Sequence, residues 1–106
     1  AEKQGAVLKQ FDGNYQCLQE LQNGGSDAVA IDKAVALYYV SKGGMNNLKV
    51  VGEPKKLAGS AMAIDKGHDD ELKAINQALA ELKADGTYTK LYQKWFGVDP
   101  TAEELQ

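Results

Sequence analysis

The sequence predicts an α/β fold: parallel-sheet βαβ units followed by a C-terminal helical hairpin. Three observations carry that expectation. Short apolar runs alternate with helical patterns through the first sixty residues, which is the signature of a parallel sheet with helices packed on it. The run "DAVAI" (27–31) shows no polar alternation, as expected of a strand buried on both faces. Leu72, Ile75, Leu79 and Leu82 then fall at helical spacing, with a second helical pattern directly after them.

The elements follow in order. "GAVLKQF" (5–11) reads as a short strand, closed by the turn signal "DGN". "YQCLQELQNGG" (15–25) reads as a helix with Leu18 and Leu21 on one face and Gly24 or Gly25 as its stop. "DAVAI" is the second strand. "KAVALYYVSKGG" (33–44) is a helix ended by a glycine pair, and "LKVVG" (48–52) a third strand. "EPKKLAGS" (53–60) is the linker candidate, and "SAMAI" (60–64) reads as a fourth strand. Asp69 or Asp70 can cap the amphipathic helix, and Gly86 can end it. Thr87 is placed to cap "YTKLYQKWF" (88–96), where Leu91 and Trp95 share a face and Gly97 and Pro100 stop the helix. "TAEELQ" reads as a polar, frayed tail.

Composition bounds the function. The chain has 106 residues, 43% hydrophobic and 25% charged, enough for one small domain's worth of core. A net charge of −3 offers no basic surface to nucleic acid. No apolar run approaches the roughly 20 residues that cross a bilayer. "AEKQGAV" lacks the apolar core of a signal peptide, so the expectation is a cytosolic protein or a processed piece of a secreted one. Cys17 is the single cysteine, which excludes an internal disulfide and the usual thiolate zinc sites. It reads as a small buried hydrophobe, since a nucleophile needs a base and the single histidine lies in a polar loop. Every cation is a lysine; there is no arginine.

No catalytic constellation, Gly-rich phosphate loop or metal motif is present, so neither an enzyme nor a cofactor is expected. "KGGMNN" follows a helix and reads as a helix stop. His68, flanked by Asp69 and Asp70, reads as a solvated loop residue. The acids at 69–71 favour the positive end of a helix dipole. Tyr38, Tyr39, Tyr88, Tyr92 and Trp95 sit at packing spacings and read as core or half-core.

Asp32 is the candidate that position singles out. It ends the central strand candidate, and ligands collect outside the carboxyl ends of parallel strands. It also stands where an N-cap stands, ready to accept the backbone N–H of residue 34 or 35. Both readings stay open, since a carboxylate has about four lone-pair sites.

"LQELQNGGSDAVAIDKAVALYYV", "LKVVGEP" and "AIDKGHDDELKAINQALAELKADGTYTKLYQKWFG" closely resemble the C-terminal half of the amino-acid-binding proteins of ABC importers, the polar amino-acid type of bacterial extracellular solute-binding protein. The resemblance runs from about residue 5 to residue 97 and is carried by no single short pattern. It implies type II periplasmic-binding-protein lobes that close on an amino acid, a partner permease in the membrane, and a periplasmic or extracellular lipoprotein as the parent. It places Asp32 on the ligand's α-ammonium, where charge-assisted bonds of about 2.7–2.9 Å form.

The resemblance also implies a truncated chain. Residues 1–54 become the later part of lobe 2, 55–60 the hinge, 61–97 the C-terminal part of lobe 1, and 98–106 a polar tail. The arginine that pairs with the ligand carboxylate, the stacking aromatic and the Gly/Thr-rich turn fall outside this chain, so free amino acids should bind it weakly or not at all. Departures are Ser60 and Ala61, where the family has an aromatic-Gly pair, Cys17 at a position commonly alanine, and Lys33, a cation beside the expected ammonium. The alternatives are a sensory domain of a signalling receptor, or a small self-associating α/β domain that forms a swapped homodimer through exposed sheet edges.

Overall fold

A computed structural model describes residues 2–52 and 60–106. The linker expected at 53–60 lies, save for Ser60, outside the described residues. The chain forms two compact units, Ala1–Val50 and Val51–Gln106.

The first unit opens with a short 3-10 turn, Glu2–Gln4, and carries two α-helices, α1 (Asn14–Gln22) and α2 (Lys33–Ser41). α1 stops where its glycines predicted. Gly24 adopts φ +81° and its N–H bonds Leu21 O at 3.1 Å, while Gly25 N–H reaches Glu20 O at 2.9 Å. These are the paired bonds of a Schellman motif, which uses a left-handed residue to satisfy the last carbonyls. Leu18, Ala36, Leu37 and Met45 form the core, each 9% exposed or less. Tyr15 of α1 meets Tyr39 of α2 at 5.8 Å between ring centroids, and Tyr39 meets Tyr38 edge-on at 5.4 Å. Lys9 Nζ donates to Glu20 Oε1 at 2.9 Å and to Gly25 O at 2.6 Å, tying the segment before α1 to that helix's C-terminal end.

The second unit holds α3 (Asp69–Ala84) and α4 (Thr87–Phe96), which pack on each other across the two-residue connection Asp85–Gly86. α3 stops before Gly86 (φ +85°) and α4 before Gly97 (φ +73°). Two capping expectations need correction. His68, not Asp69 or Asp70, occupies the N-cap of α3, and those acids lie inside its first turn. The start of α4 is served by Asp85, whose Oδ1 accepts the Thr87 backbone N–H at 2.8 Å, rather than by Thr87. Ile75 and Leu79 of the α3 stripe are half-buried; Leu72 and Leu82 are exposed. Tyr92 is the buried aromatic of α4, while Leu91, Trp95 and Tyr38 of the first unit are exposed rather than core.

No parallel sheet forms among the described residues. Among the described residues the regular elements are all helical, and the segments 5–11, 27–31, 48–52 and 60–64 carry no ladder. The βαβ expectation is therefore wrong. The physical reason is that apolar composition is only half of a strand. A strand exists when its N–H and C=O groups meet a neighbour about 4.8 Å away. Nor are these segments covered: Val7 is 92% exposed, Val51 72% and Met62 65%.

Candidate functional site

Asp32 stands at the N-cap of α2, as its position required. Its backbone (φ −57°, ψ +132°) lets its carbonyl accept the Ala36 N–H at 3.0 Å, so the main chain enters the helix there. Its carboxylate makes no hydrogen bond to the helix amides. Of the two readings open in the sequence, the cap is the one that fails. The side chain is exposed, and no acid lies in the first turn of α2 to share the partial positive charge of the helix start. The strand-end setting expected for it is absent with the sheet. Lys33, the first helical residue, is half-buried.

Asp85 shows what a capping aspartate does in the same chain. Hydrogen bonds from the Thr87 side chain and then from its backbone N–H favour the charged carboxylate and hold it below its ordinary value of 3.8, with Lys90 adding a smaller attraction. Asp32 has no such engagement with its helix. An exposed carboxylate beside a helix start, not spent on capping, can accept hydrogen bonds from a cation that approaches from outside.

Among the described residues shallow hollows lie elsewhere, including one in each unit. Gln10, Phe11, Asp12, Gln16, Gln19, Glu20 and Asn23 line the first. Ala63, Ile64, Asp65, His68 and Glu71 line the second. Asp32 lines neither. In the second hollow His68 Nδ1 lies 3.4 Å from Glu71 Oε1, and both side chains are more than half exposed. Among the described residues no group of three His, Cys, Asp or Glu side chains comes together as metal ligands. Cys17 is a free, half-buried thiol. No helix among the described residues is long and apolar enough to cross a membrane.

One polar cluster was not anticipated from the sequence. Tyr92, on α4, donates its hydroxyl to Glu104 Oε1 at 3.0 Å. The other oxygen of that carboxylate accepts the Thr101 N–H at 2.7 Å. The tail expected to fray is thus docked, with Pro100 buried. The readable signal was the T-x-x-E spacing of Thr101 and Glu104.

Comparison with known proteins gives these residues a context. Residues 3–98 match the bacterial extracellular solute-binding proteins, family 3. The chain is 40% identical over 98 residues to the L-cystine-binding protein TcyJ of Escherichia coli, a match covering 92% of this chain and 36% of that protein. It is 35% identical over 95 residues to the L-cystine-binding protein TcyA of Bacillus subtilis, covering 90% of this chain and 35% of that one. A probable amino-acid-binding protein of Bacillus subtilis, YxeM, is 32% identical over 99 residues, covering 92% and 37%. No solved structure matches the chain. The chain spans a little over a third of the length of these relatives. With the family match running through almost all of its residues, the chain belongs to family 3 of the bacterial extracellular solute-binding proteins, a solute-binding rather than an enzyme family.

Proposed function

We propose that this chain is part of an extracellular protein that captures a polar amino acid and delivers it to the permease of an ABC transporter, with no chemical step. The observation that carries this reading is the Asp32 carboxylate, exposed at the start of α2 and not used to cap it. In this reading it receives the ligand's α-ammonium, which offers three donors to a negatively charged acceptor. The two cystine-binding relatives make cystine the first ligand to try, since it presents two such ammonium ends. Residues 1–54 serve as the later part of one lobe and residues 61–97 as the C-terminal part of the other, joined near 55–60. The remaining length of the protein supplies the opposing wall, including the partner of the ligand carboxylate, because this chain has no arginine. Ligand capture favours the closed arrangement of the lobes, and that arrangement engages the permease. The parent is exported and held at the cell surface by a lipid anchor.

The test is a calorimetric titration of the longer protein with cystine and other amino acids, alongside Asp32→Asn. The substitution keeps the side-chain shape and removes the charge. It should weaken binding by about 2–5 kcal/mol, the scale for removing one partner of a buried charge pair. An unchanged affinity in a folded variant removes Asp32 from the site.

A further inference from the structure

The residues after α4 carry a feature independent of the ligand reading. From Gly97 the chain doubles back onto the α3–α4 pair and is held at three places. Gln93 Nε2 donates to Asp99 Oδ1, the Tyr92 hydroxyl to Glu104 Oε1 at 3.0 Å, and Lys83 Nζ, from α3, to Gln106 O at 2.9 Å. Between these anchors Thr101 and Glu104 form a reciprocal capping box. The Thr101 N–H donates to Glu104 Oε2 at 2.7 Å, and the Glu104 N–H reaches Thr101 Oγ1 at 3.4 Å. A first helical bond follows, Leu105 N–H to Thr101 O at 3.2 Å. Beneath this turn runs an aromatic row along α4. Tyr88 lies 6.1 Å from Tyr92, and Tyr92 packs edge-on against Phe96 at 4.6 Å. The Lys83 ammonium stands 5.5 Å from the centre of the Tyr88 ring.

We propose that residues 98–106 are a strap with an open and a closed state, and that Glu104 is its fastener, one carboxylate that both starts the strap's turn and ties it to Tyr92. The two oxygens do different work. Oε2 builds the turn, and Oε1 docks it. Loss of the carboxylate therefore releases both together, whereas loss of the Tyr92 hydroxyl releases only the docking. The hydroxyl suits this role because burial first, then the bond and charge of Glu104, push its ionisation up to about 12. It stays a proton donor throughout the ordinary pH range. In the open state the Tyr92 and Phe96 rings meet water, and α4 presents an uncovered aromatic row.

Hydrogen exchange read peptide by peptide in the 106-residue chain tests this. Tyr92→Phe should speed exchange at the strap amides of 101–106 by about fivefold, the loss of one net hydrogen bond. Glu104→Ala should speed it by more, because turn and docking go together. Exchange in α3 should hardly move in either variant. Glu104→Ala should also bring the Tyr92 ionisation down from about 12 toward its ordinary 10.0, read by tyrosinate absorbance. Strap exchange unchanged in Glu104→Ala overturns the proposal. Should Glu104→Ala unfold the unit, Tyr92→Phe decides: faster exchange confined to 101–106 supports the strap, and wild-type exchange there overturns it.

Discussion

Asp32 and Asp85 are the same residue at the starts of two helices, put to different uses. Asp85 sits one residue before the N-cap Gly86, and the turn between them aims Oδ1 at the Thr87 N–H. Asp32 is itself the N-cap, and its carboxylate is not turned back onto the helix amides. The sequence left both readings open for Asp32, because spacing places a residue at a helix start without saying where its oxygens point. The capped residue yields a prediction about acid. The Thr87 bonds hold the Asp85 carboxyl below 3.8 in the folded chain, so the folded state carries fewer protons there than the unfolded one. Its contribution is complete above the unfolded value near 3.8 and is lost as the pH falls through the lower, folded value. Side-chain carboxyl chemical shifts followed through that window should give Asp85 a midpoint below 3.8 in the wild type. Thr87→Ala, which keeps the backbone N–H but deletes the hydroxyl, should move that midpoint up. A midpoint that stays put would mean that the hydroxyl does not hold the charge.

At the scale of elements, what was readable depended on whether the signal is local. All four α-helices lie where periodicity and stop signals put them, because a helix closes its own hydrogen bonds and its limits are written within a few residues. The strands were not readable in the same sense. Val7, Val29, Val50 and Val51 mark segments suited to strands, but a ladder needs a second segment that local pattern does not name. The caps of α3 and α4 were misassigned by one or two residues, the distance over which several polar side chains compete for one role. The Thr101–Glu104 box was legible as spacing and passed over as tail. The glycine pair that ends α2 permits a sharper statement than "stop". A Cβ on Gly43 would lie 2.7 Å from the Tyr39 Cα, a backbone atom that cannot swing away. Gly43→Ala should therefore cost about 1–3 kcal/mol, the range for forced overpacking, and it should do so by displacing Tyr39 from Tyr15 and Tyr38. Gly44→Ala meets no atom but must hold φ near +81°, so its cost is conformational and should leave the tyrosine contacts in place. Denaturant unfolding together with near-ultraviolet circular dichroism separates the two. An aromatic signal lost equally in both variants would refute the close-approach account.

At the scale of the whole molecule, the decisive quantity is apolar surface left in water. Covering an aliphatic side chain of the size of valine or methionine stabilises by about 1.5–3 kcal/mol. Val7, Val51 and Met62 each forgo most of that, being 92%, 72% and 65% exposed. Their segments carry the patterns that the sequence marks as interior, and the cystine-binding relatives have about two and a half times as much chain. The same shortage bears on ligand capture. An α-amino acid carries two opposite charges, and moving it out of water is favourable only where both are met. On the proposed reading Asp32 meets the ammonium, and the chain has no arginine for the carboxylate. One exposed carboxylate against one ammonium gives the energy of a surface ion pair, about 0–1 kcal/mol, far short of the roughly 8 kcal/mol that a micromolar site requires. The 106 residues by themselves should therefore give no saturable heat with cystine or any other free amino acid at millimolar concentration, while the longer protein titrates to a defined stoichiometry. Micromolar binding by the 106-residue chain alone would show that it holds both halves of the charge clamp, and that the opposing wall is unnecessary.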